Sequence, residues 1–313
     1  NINHLSDKVV AYNPTAVSKE TISSLKSLNP MIRLKPAITQ ERGALLRLIT
    51  SRGADCVIME QNEALSYGRY FGSLEIKVTL DKNVERGWLL RKNDDDLIHM
   101  AKYWQRAVSR SRELMAIRQR YMDHLDSIDT YEQREFYADL KNILPQYRAV
   151  FKKAAKDTGL PWELIAAVAY QESHWNPDAR SFTGVKGIMQ LTQATADHLG
   201  IKDRTDPEQS VRGGSLYLST LLGRTPKHLH FKDRLSLALA AYNVGPGHLR
   251  DAQRLAAQRG LDPLSWNDLR TVLPLLSQKQ YERQLAFGLA RGDEPVKYVD
   301  RVRTYYDMIV VQM

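Results

Sequence analysis

The sequence predicts an α+β protein with two domains, an α/β lobe followed by an all-α domain. Three observations support this prediction. The chain has 313 residues, about twice the usual size of one domain. Segments up to about residue 92 alternate between strand-like and helix-like patterns, whereas almost every segment from there to Met313 has helical periodicity. Alternating strands and helices predict a mainly parallel sheet with helices on both faces.

The N-terminal lobe is predicted from its alternation of short apolar runs and amphipathic stretches. Thr15 or Ser18 is expected to cap a first helix, and a second helix is expected over 40–51, ended by Gly53. Apolar or alternating runs predict strands at 9–12, 31–38, 56–59 and 76–80.

The pattern changes after Lys92. Residues 93–96 (Asn-Asp-Asp-Asp) supply an N-cap and an acidic first turn for a helix. The stretch 110–143 is helical and highly charged, as expected of a connection between domains. We therefore predict a module over 1–128, which includes most of this connection, and a second domain over 129–313.

Composition and charge limit the classes of function. With 43% hydrophobic and 26% charged residues, the chain is expected to be folded and globular. Its net charge of +9 favours an anionic partner such as nucleic acid, an acidic membrane face or the bacterial cell wall. Nucleic acid is not expected, because zinc-finger spacing, RNA-binding aromatic signatures and basic heptads are missing. No apolar run is long enough to span a bilayer. From its first residues the chain is not expected to carry a signal peptide, and the single Cys56 is expected to be a structural thiol.

A carboxylate lies on the apolar stripe of one predicted helix. The helix begins after Thr158 with Pro161 in its first turn, and Leu164, Val168 and Glu172 follow at intervals of four residues. Burial disfavours the charged form of a carboxyl group, so the pKa of Glu172 should be raised, which suits a general acid near neutral pH. An ion-paired structural glutamate is the alternative interpretation.

Four sequence blocks that begin at this glutamate occur in a fixed order. They are Glu172-Ser173, the glycine block 181–190 (Ser-Phe-Thr-Gly-Val-Lys-Gly-Ile-Met-Gln), 241–245 (Ala-Tyr-Asn-Val-Gly) and Tyr298-Val299. Together they resemble the lytic transglycosylases of glycoside hydrolase family 23, and the match is specific because all four blocks are present without gaps. The resemblance implies a helical, goose-type lysozyme-like fold for the second domain.

The resemblance also implies roles for individual residues. Glu172 would be the single catalytic acid and base, and Tyr298 would fix its orientation and protonation. The residues expected to bind the glycan substrate are Ser181, Met189, Gln190, Tyr242, Asn243 and Tyr298. Three of these expectations have a structural alternative, since Met189 could fill a gap in the core and both Tyr242 and Asn243 could face it.

The reaction implied by the resemblance needs only one carboxylate. Most glycosidases use two, yet no Asp or Glu lies between Asp178 and Asp197. A lytic transglycosylase cleaves the β-1,4 bond between N-acetylmuramic acid and N-acetylglucosamine without water and leaves a 1,6-anhydro end. No cofactor or metal is expected, because His228 and His230 have no third ligand at a suitable spacing. A hydrolytic muramidase on the same fold and a catalytically silent cell-wall binding protein remain alternatives.

The N-terminal segment order resembles one lobe of a periplasmic solute-binding module of the amino-acid-binding type. The module is expected to be incomplete in this chain and to bind a cell-wall fragment (a muropeptide) that regulates cleavage. Fusion of such a module to a lytic transglycosylase implies a periplasmic protein of a Gram-negative bacterium. Its outer-membrane anchor would lie outside this chain.

Overall fold

In the computed structural model of this chain, two compact units are present, Asn1–Ser111 together with Val310–Met313, and Arg112–Ile309. The residues that the structure describes are 2–39, 43–71, 74, 76, 78–80, 88, 90–92, 94–109, 111, 113–114, 117, 121, 124 and 127–313.

The first unit contains a parallel three-stranded sheet, which confirms the predicted strand direction. Its strands are β1 (Val9–Tyr12), β2 (Arg33–Pro36) and β3 (Cys56–Ile58), in the order β2-β1-β3. Val10 of the central strand pairs with Leu34 on one side and with Cys56 on the other. The helices are α1 (Lys19–Leu28), α2 (Ala44–Thr50), α3 (Gln61–Gly68) and α4 (Asp95–Ser109).

Local sequence signals explain most of these elements. The Ser18 hydroxyl accepts a hydrogen bond from the amide of Thr21 at 3.1 Å, so Ser18 is the cap of α1.

The predicted strand 76–80 is absent at its four described residues, and Lys77 lies outside them. Ile76, Val78 and Leu80 are exposed, so alternation here does not mark a half-buried sheet face.

Burial raises the pKa of the Cys56 thiol, as expected of an unreactive cysteine.

The second unit is helical, as predicted. Its helices are α5 (Thr130–Asn142), α6 (Leu144–Thr158), α7 (Trp162–Ser173), α8 (Gln193–His198), α9 (Pro207–Gly223), α10 (Phe231–Val244), α11 (Pro246–Gln258), α12 (Trp266–Val272) and α13 (Asp293–Gln312), of which the last turn belongs to the first unit. Much of the predicted connection before Asp129 lies outside the described residues. Across the described part of the chain, we find no helix with the length and apolar character needed to cross a bilayer.

Helix α7 forms the centre of this unit. Every residue from Leu164 to Tyr170 is buried, as expected of a helix that is apolar on all sides. Helices α6 and α9 pack against it. The Tyr170 ring contacts the rings of Phe136 on α5 and Tyr305 on α13, with centroid distances of 4.6 and 4.8 Å. This aromatic cluster fixes the position of α7 within the unit.

The end of α7 is set by two consecutive residues with left-handed backbone conformations. His174 has a φ of 53° and Trp175 a φ of 58°, values that are uncommon for residues other than glycine. The turn sends Trp175 back into the core, where its Nε1 donates to the carbonyl of Ala166 at 2.8 Å. Glu172 therefore lies in the last turn of a helix whose end is firmly held.

Candidate active site

Glu172 is half-buried in the last turn of α7. The Tyr298 hydroxyl donates to its Oε1 at 2.6 Å. Tyr298 lies in the N-terminal half of α13 and is 4% exposed. The structure thus brings together the two residues that the sequence predicts to meet, across 126 positions of the chain.

Burial dominates the electrostatics of Glu172. It raises the pKa of the carboxyl group to about 7, and the hydrogen bond from Tyr298 acts in the opposite direction because it favours the charged form. Among the described residues, no second carboxylate contributes to this shift. A group with this pKa can donate a proton and take one back near neutral pH.

A second tyrosine packs beside the first. The rings of Tyr242 and Tyr298 are nearly parallel, at 14°, with centroids 6.4 Å apart. The Tyr242 hydroxyl donates to the carbonyl of Met189 at 3.0 Å. Burial, followed by the charge of Glu172, raises the pKa of both phenols well above the usual value. Both hydroxyl groups therefore remain neutral donors.

Tyr217 is a neighbour of this pair that the sequence analysis does not identify. Its ring on α9 lies 5.4 Å from that of Tyr242. It belongs to none of the four blocks, and its periodicity is that of an ordinary helical residue, so the sequence contains no signal for its position.

Ser173 connects helix α7 to the glycine block. Its hydroxyl donates to the carbonyl of Ile188 at 2.9 Å and to that of Ala169 at 3.2 Å. The side chain next to Glu172 thus holds the block in place, a role that the sequence analysis does not predict.

The glycine block is braced by contacts within the protein. Gly187 has a φ of +82°, and a Cβ there would lie 1.7 Å from the carbonyl oxygen of Arg204. The Arg204 guanidinium donates to the carbonyls of Gly184 (3.1 Å) and Leu191 (2.8 Å). The Gln190 amide donates to the carbonyls of Gly187 (2.8 Å) and Ala179 (3.0 Å). Gly187 is therefore required by close approach of protein backbone.

The remaining predicted residues lie in different settings. The Met189 side chain is completely buried against Gly214, so it fills the core and only its carbonyl faces Tyr242. This differs from the expectation that the side chain binds substrate. Ser181 is exposed, with its hydroxyl 2.8 Å from that of Thr183, and Asn243 is exposed in the last turn of α10.

His230 has a structural role at the start of α10. His230 caps α10, since its Nδ1 accepts a hydrogen bond from the Lys232 amide at 3.2 Å. Among the described residues, no group of three or more His, Cys, Asp or Glu side chains could hold a metal ion.

Helix α7, the glycine block and the end of α10 lie within a segment that is similar to one family of domains. Residues 149–263 match the Transglycosylase SLT domain family. Tyr298 lies outside the matched residues.

Relatives extend the similarity over most of the chain and confirm the predicted resemblance to lytic transglycosylases. The chain is 39% identical, over 94% of its length, to the membrane-bound lytic murein transglycosylase F of Shewanella denitrificans, of which it covers 59%. It is 38% identical, over 93% of its length, to the protein of the same name from Stutzerimonas stutzeri, of which it covers 60%. The chain thus spans about three fifths of the length of these curated relatives.

Solved structures include a more distant neighbour, the lytic transglycosylase Slt of Pseudomonas aeruginosa. It is 23% identical, with a TM-score of 0.40, over 68% of this chain and 33% of the other.

Proposed function

We propose that this chain is a peptidoglycan lytic transglycosylase that cleaves the β-1,4 bond between N-acetylmuramic acid and N-acetylglucosamine without water. The observation that carries the proposal is the Glu172 carboxyl group, with a pKa of about 7 and a hydrogen bond from Tyr298. The SLT domain and the names of the relatives support the same reaction and the same substrate class.

One carboxyl group is sufficient for both proton transfers. Protonated Glu172 donates to the glycosidic oxygen as the bond to the anomeric carbon breaks, and the N-acetyl group of the muramoyl sugar stabilises the developing cation. The Glu172 carboxylate then takes the proton of the 6-hydroxyl group of the same sugar, whose oxygen attacks the anomeric carbon. The product is a 1,6-anhydro ring, and Glu172 regains its proton.

Tyr298 supports the second half of this cycle. Its hydrogen bond stabilises the carboxylate that exists after the first proton transfer. Burial favours the protonated form that is needed at the start. Because burial raises the pKa of Glu172 and the hydrogen bond lowers it, both the protonated and the charged form are accessible near neutral pH.

We assign the glycan contacts to polar residues of the glycine block and of the end of α10. Ser181, Gln190, Tyr242 and Asn243 are the proposed binding residues. Met189 would act through its backbone, because its side chain is buried.

The test is mass spectrometry of the soluble products released from purified sacculi. Products lighter than the hydrolysis products by one water, absent with Glu172→Gln, would support the proposal. Glu163→Gln is the matched control, since Glu163 lies in the first turn of the same helix and should retain activity. Hydrated reducing ends would instead identify a muramidase. No products from either protein would mean a binding protein or a catalytic domain that the N-terminal segment holds inactive.

We propose that the N-terminal segment regulates cleavage by the second domain. Residues 1–128 would be part of a solute-binding-type module that takes a muropeptide, and 129–313 would be the catalytic domain. The parallel order β2-β1-β3 is compatible with such a lobe. The relatives named as membrane-bound support a location in the bacterial envelope, with the periplasm and the outer membrane as the specific proposal.

The effector can be tested by measuring cleavage by this chain, and by its longer relatives, with and without added muropeptides. A change in rate is expected. Equal rates in both proteins would contradict the regulatory role and leave the cleavage reaction unaffected.

A further inference from the structure

Helices α7 and α13 are joined by two neighbouring hydrogen bonds, of which only one involves Glu172. The second runs from Nε of Arg301 to Oε1 of Gln171, at 2.9 Å. Gln171 directly precedes Glu172, and Arg301 follows Tyr298 by about one helical turn. The two hydrogen bonds therefore join α7 and α13 at neighbouring positions along each helix.

Arg301 is held on all sides of its guanidinium group. One terminal nitrogen forms an ion pair with Glu132 of α5 at 2.8 Å, and the other donates to the Tyr305 hydroxyl at 2.9 Å. The Arg301 and Glu132 side chains are 23% and 32% exposed, so solvent screens this pair less than one on the open surface. A planar group with three partners can bind in one orientation only.

Glu132 is itself fixed at the start of α5. Its carboxylate accepts a hydrogen bond from the amide of Asp129 at 3.2 Å, and the Asp129 side chain accepts one from the Glu132 amide at 2.9 Å. This capping box anchors the partner of Arg301. The chain of contacts from α5 through Arg301 to Gln171 is therefore rigid at each step.

We propose that Arg301 is a positioning residue that holds the Tyr298 hydroxyl against Glu172 by joining α13 to α7 one turn away. The inference rests on the proposed function for its meaning in catalysis. The contact it controls is short, at 2.6 Å, and hydrogen bonds weaken steeply with distance and angle. The packing of Tyr170 on Phe136 does not involve Arg301, so the fold should survive its loss while α13 shifts slightly.

The primary test is Arg301→Met, which keeps the aliphatic length and removes the three polar contacts. The titration of Glu172 is followed by carbon-13 NMR of its side-chain carboxyl, alongside the pH profile of sacculus cleavage. The Tyr298 bond lowers the pKa of Glu172, so its weakening should raise the titration midpoint above that of the wild type. The alkaline limb of the cleavage profile should move in the same direction, with kcat falling roughly tenfold to a hundredfold.

A double-variant comparison separates positioning from a direct charge effect. In the Tyr298→Phe background, Arg301→Met should leave the Glu172 titration unchanged, because the contact that it controls is already missing. A further shift in that background would overturn the proposal. So would an unshifted titration after Arg301→Met alone. Gln171→Met, which removes the acceptor and leaves the Arg301–Glu132 pair, should shift the midpoint in the same direction.

The matched control is Arg291→Met, which removes an arginine whose ion pair with Glu294 is exposed and should not move the titration. The NMR measurement does not depend on turnover. If the wild-type chain forms no anhydro products, the proposed function fails, while the Glu172 titration still decides whether Arg301 acts through Tyr298.

Discussion

Glu172 and Asp251 are two carboxylic acids in the same helical unit with opposite electrostatic settings. Glu172 accepts one phenolic hydrogen bond, and burial raises its pKa to about 7. Asp251 is 1% exposed, and burial again acts to raise its pKa. Hydrogen bonds from the amides of Phe287 (2.8 Å) and Ala286 (3.0 Å), and from Arg254, outweigh that effect and lower the pKa.

The difference between these acids is the number and kind of donors around each one. Two amides and a guanidinium group stabilise the Asp251 carboxylate, which fixes the loop before α13. Glu172 has a single phenolic donor, which does not offset the effect of burial on its pKa. Its proton is therefore exchangeable near neutral pH. Burial alone therefore does not determine whether a carboxylic acid keeps its proton near neutral pH.

The largest expected effect is that of Glu172→Gln, which should abolish detectable cleavage, a loss of at least roughly a thousandfold.

The same variant should be more stable than the wild type at alkaline pH. The folded-state pKa of Glu172 is raised, so ionisation destabilises the fold as pH rises through the range from the unfolded value to about 7. At pH 8 we expect the variant's free energy of unfolding to exceed that of the wild type by about 1–3 kcal/mol.

The measurement is urea denaturation at pH 8 and at pH 4, where the difference should disappear. A variant less stable than the wild type at pH 8 would mean that the charge of Glu172 is compensated by partners other than Tyr298.

Asp251→Asn should have the reverse pattern, with stability reduced and cleavage chemistry intact. Asparagine retains one acceptor oxygen for two amides, and we expect a loss of about 1–3 kcal/mol in the free energy of unfolding at pH 7. Asp157→Asn, at an exposed position of α6, is the control and should change stability little. Equal losses in the two variants would remove the distinction between a buried structural acid and a surface one.

The pH dependence of that loss sharpens the comparison. The pKa of Asp251 is lowered in the folded state, so its contribution is fully present above the unfolded value of about 3.9 and is lost as pH falls through the folded value. The difference in stability between wild type and Asp251→Asn should therefore shrink in acid. A difference that stays constant down to pH 2 would indicate a packing effect.

Tyr298→Phe should have the smallest effect on stability and a clear effect on the pH profile. Loss of the hydroxyl removes the one contact that lowers the pKa of Glu172, so the alkaline limb of kcat/KM should move above its wild-type midpoint near pH 7. A fall in kcat of roughly tenfold to a hundredfold is expected. An unchanged alkaline limb would show that another group sets it.

The sequence was sufficient to predict the helices and the acid of the second unit. The four-residue spacing of Leu164, Val168 and Glu172 predicted that all three lie on one face of a helix. The four ordered blocks predicted that Tyr242 and Tyr298 belong to the same site as Glu172. In the first unit, the parallel strands at Val9–Tyr12, Arg33–Pro36 and Cys56–Ile58 were also predictable. The strand expected at 76–80 was not found at its described residues, because alternation cannot reveal whether a neighbouring strand is available.

Apart from Tyr298 with Glu172, which the resemblance implied, pairings between separate segments of the chain were not predictable. Ser173 meets Ile188, and Arg301 meets Gln171 across 130 positions, and neither pair has a local pattern. The burial of the Met189 side chain was not predictable for a related reason, since it depends on the absence of a side chain at Gly214 of another helix. Periodicity gives the face of a helix, whereas the partner of that face depends on tertiary packing.

The close approach of Arg204 to Gly187 divides the glycine block into a fixed base and a free tip. At the base, any side chain on Gly187 would overlap the Arg204 carbonyl. At the tip, Phe182 is fully exposed, so exchanging it costs no buried packing. For protein engineering, position 182 is therefore where sequence libraries or reporter groups could be introduced into the glycine block, and position 187 is where such a library would select glycine alone.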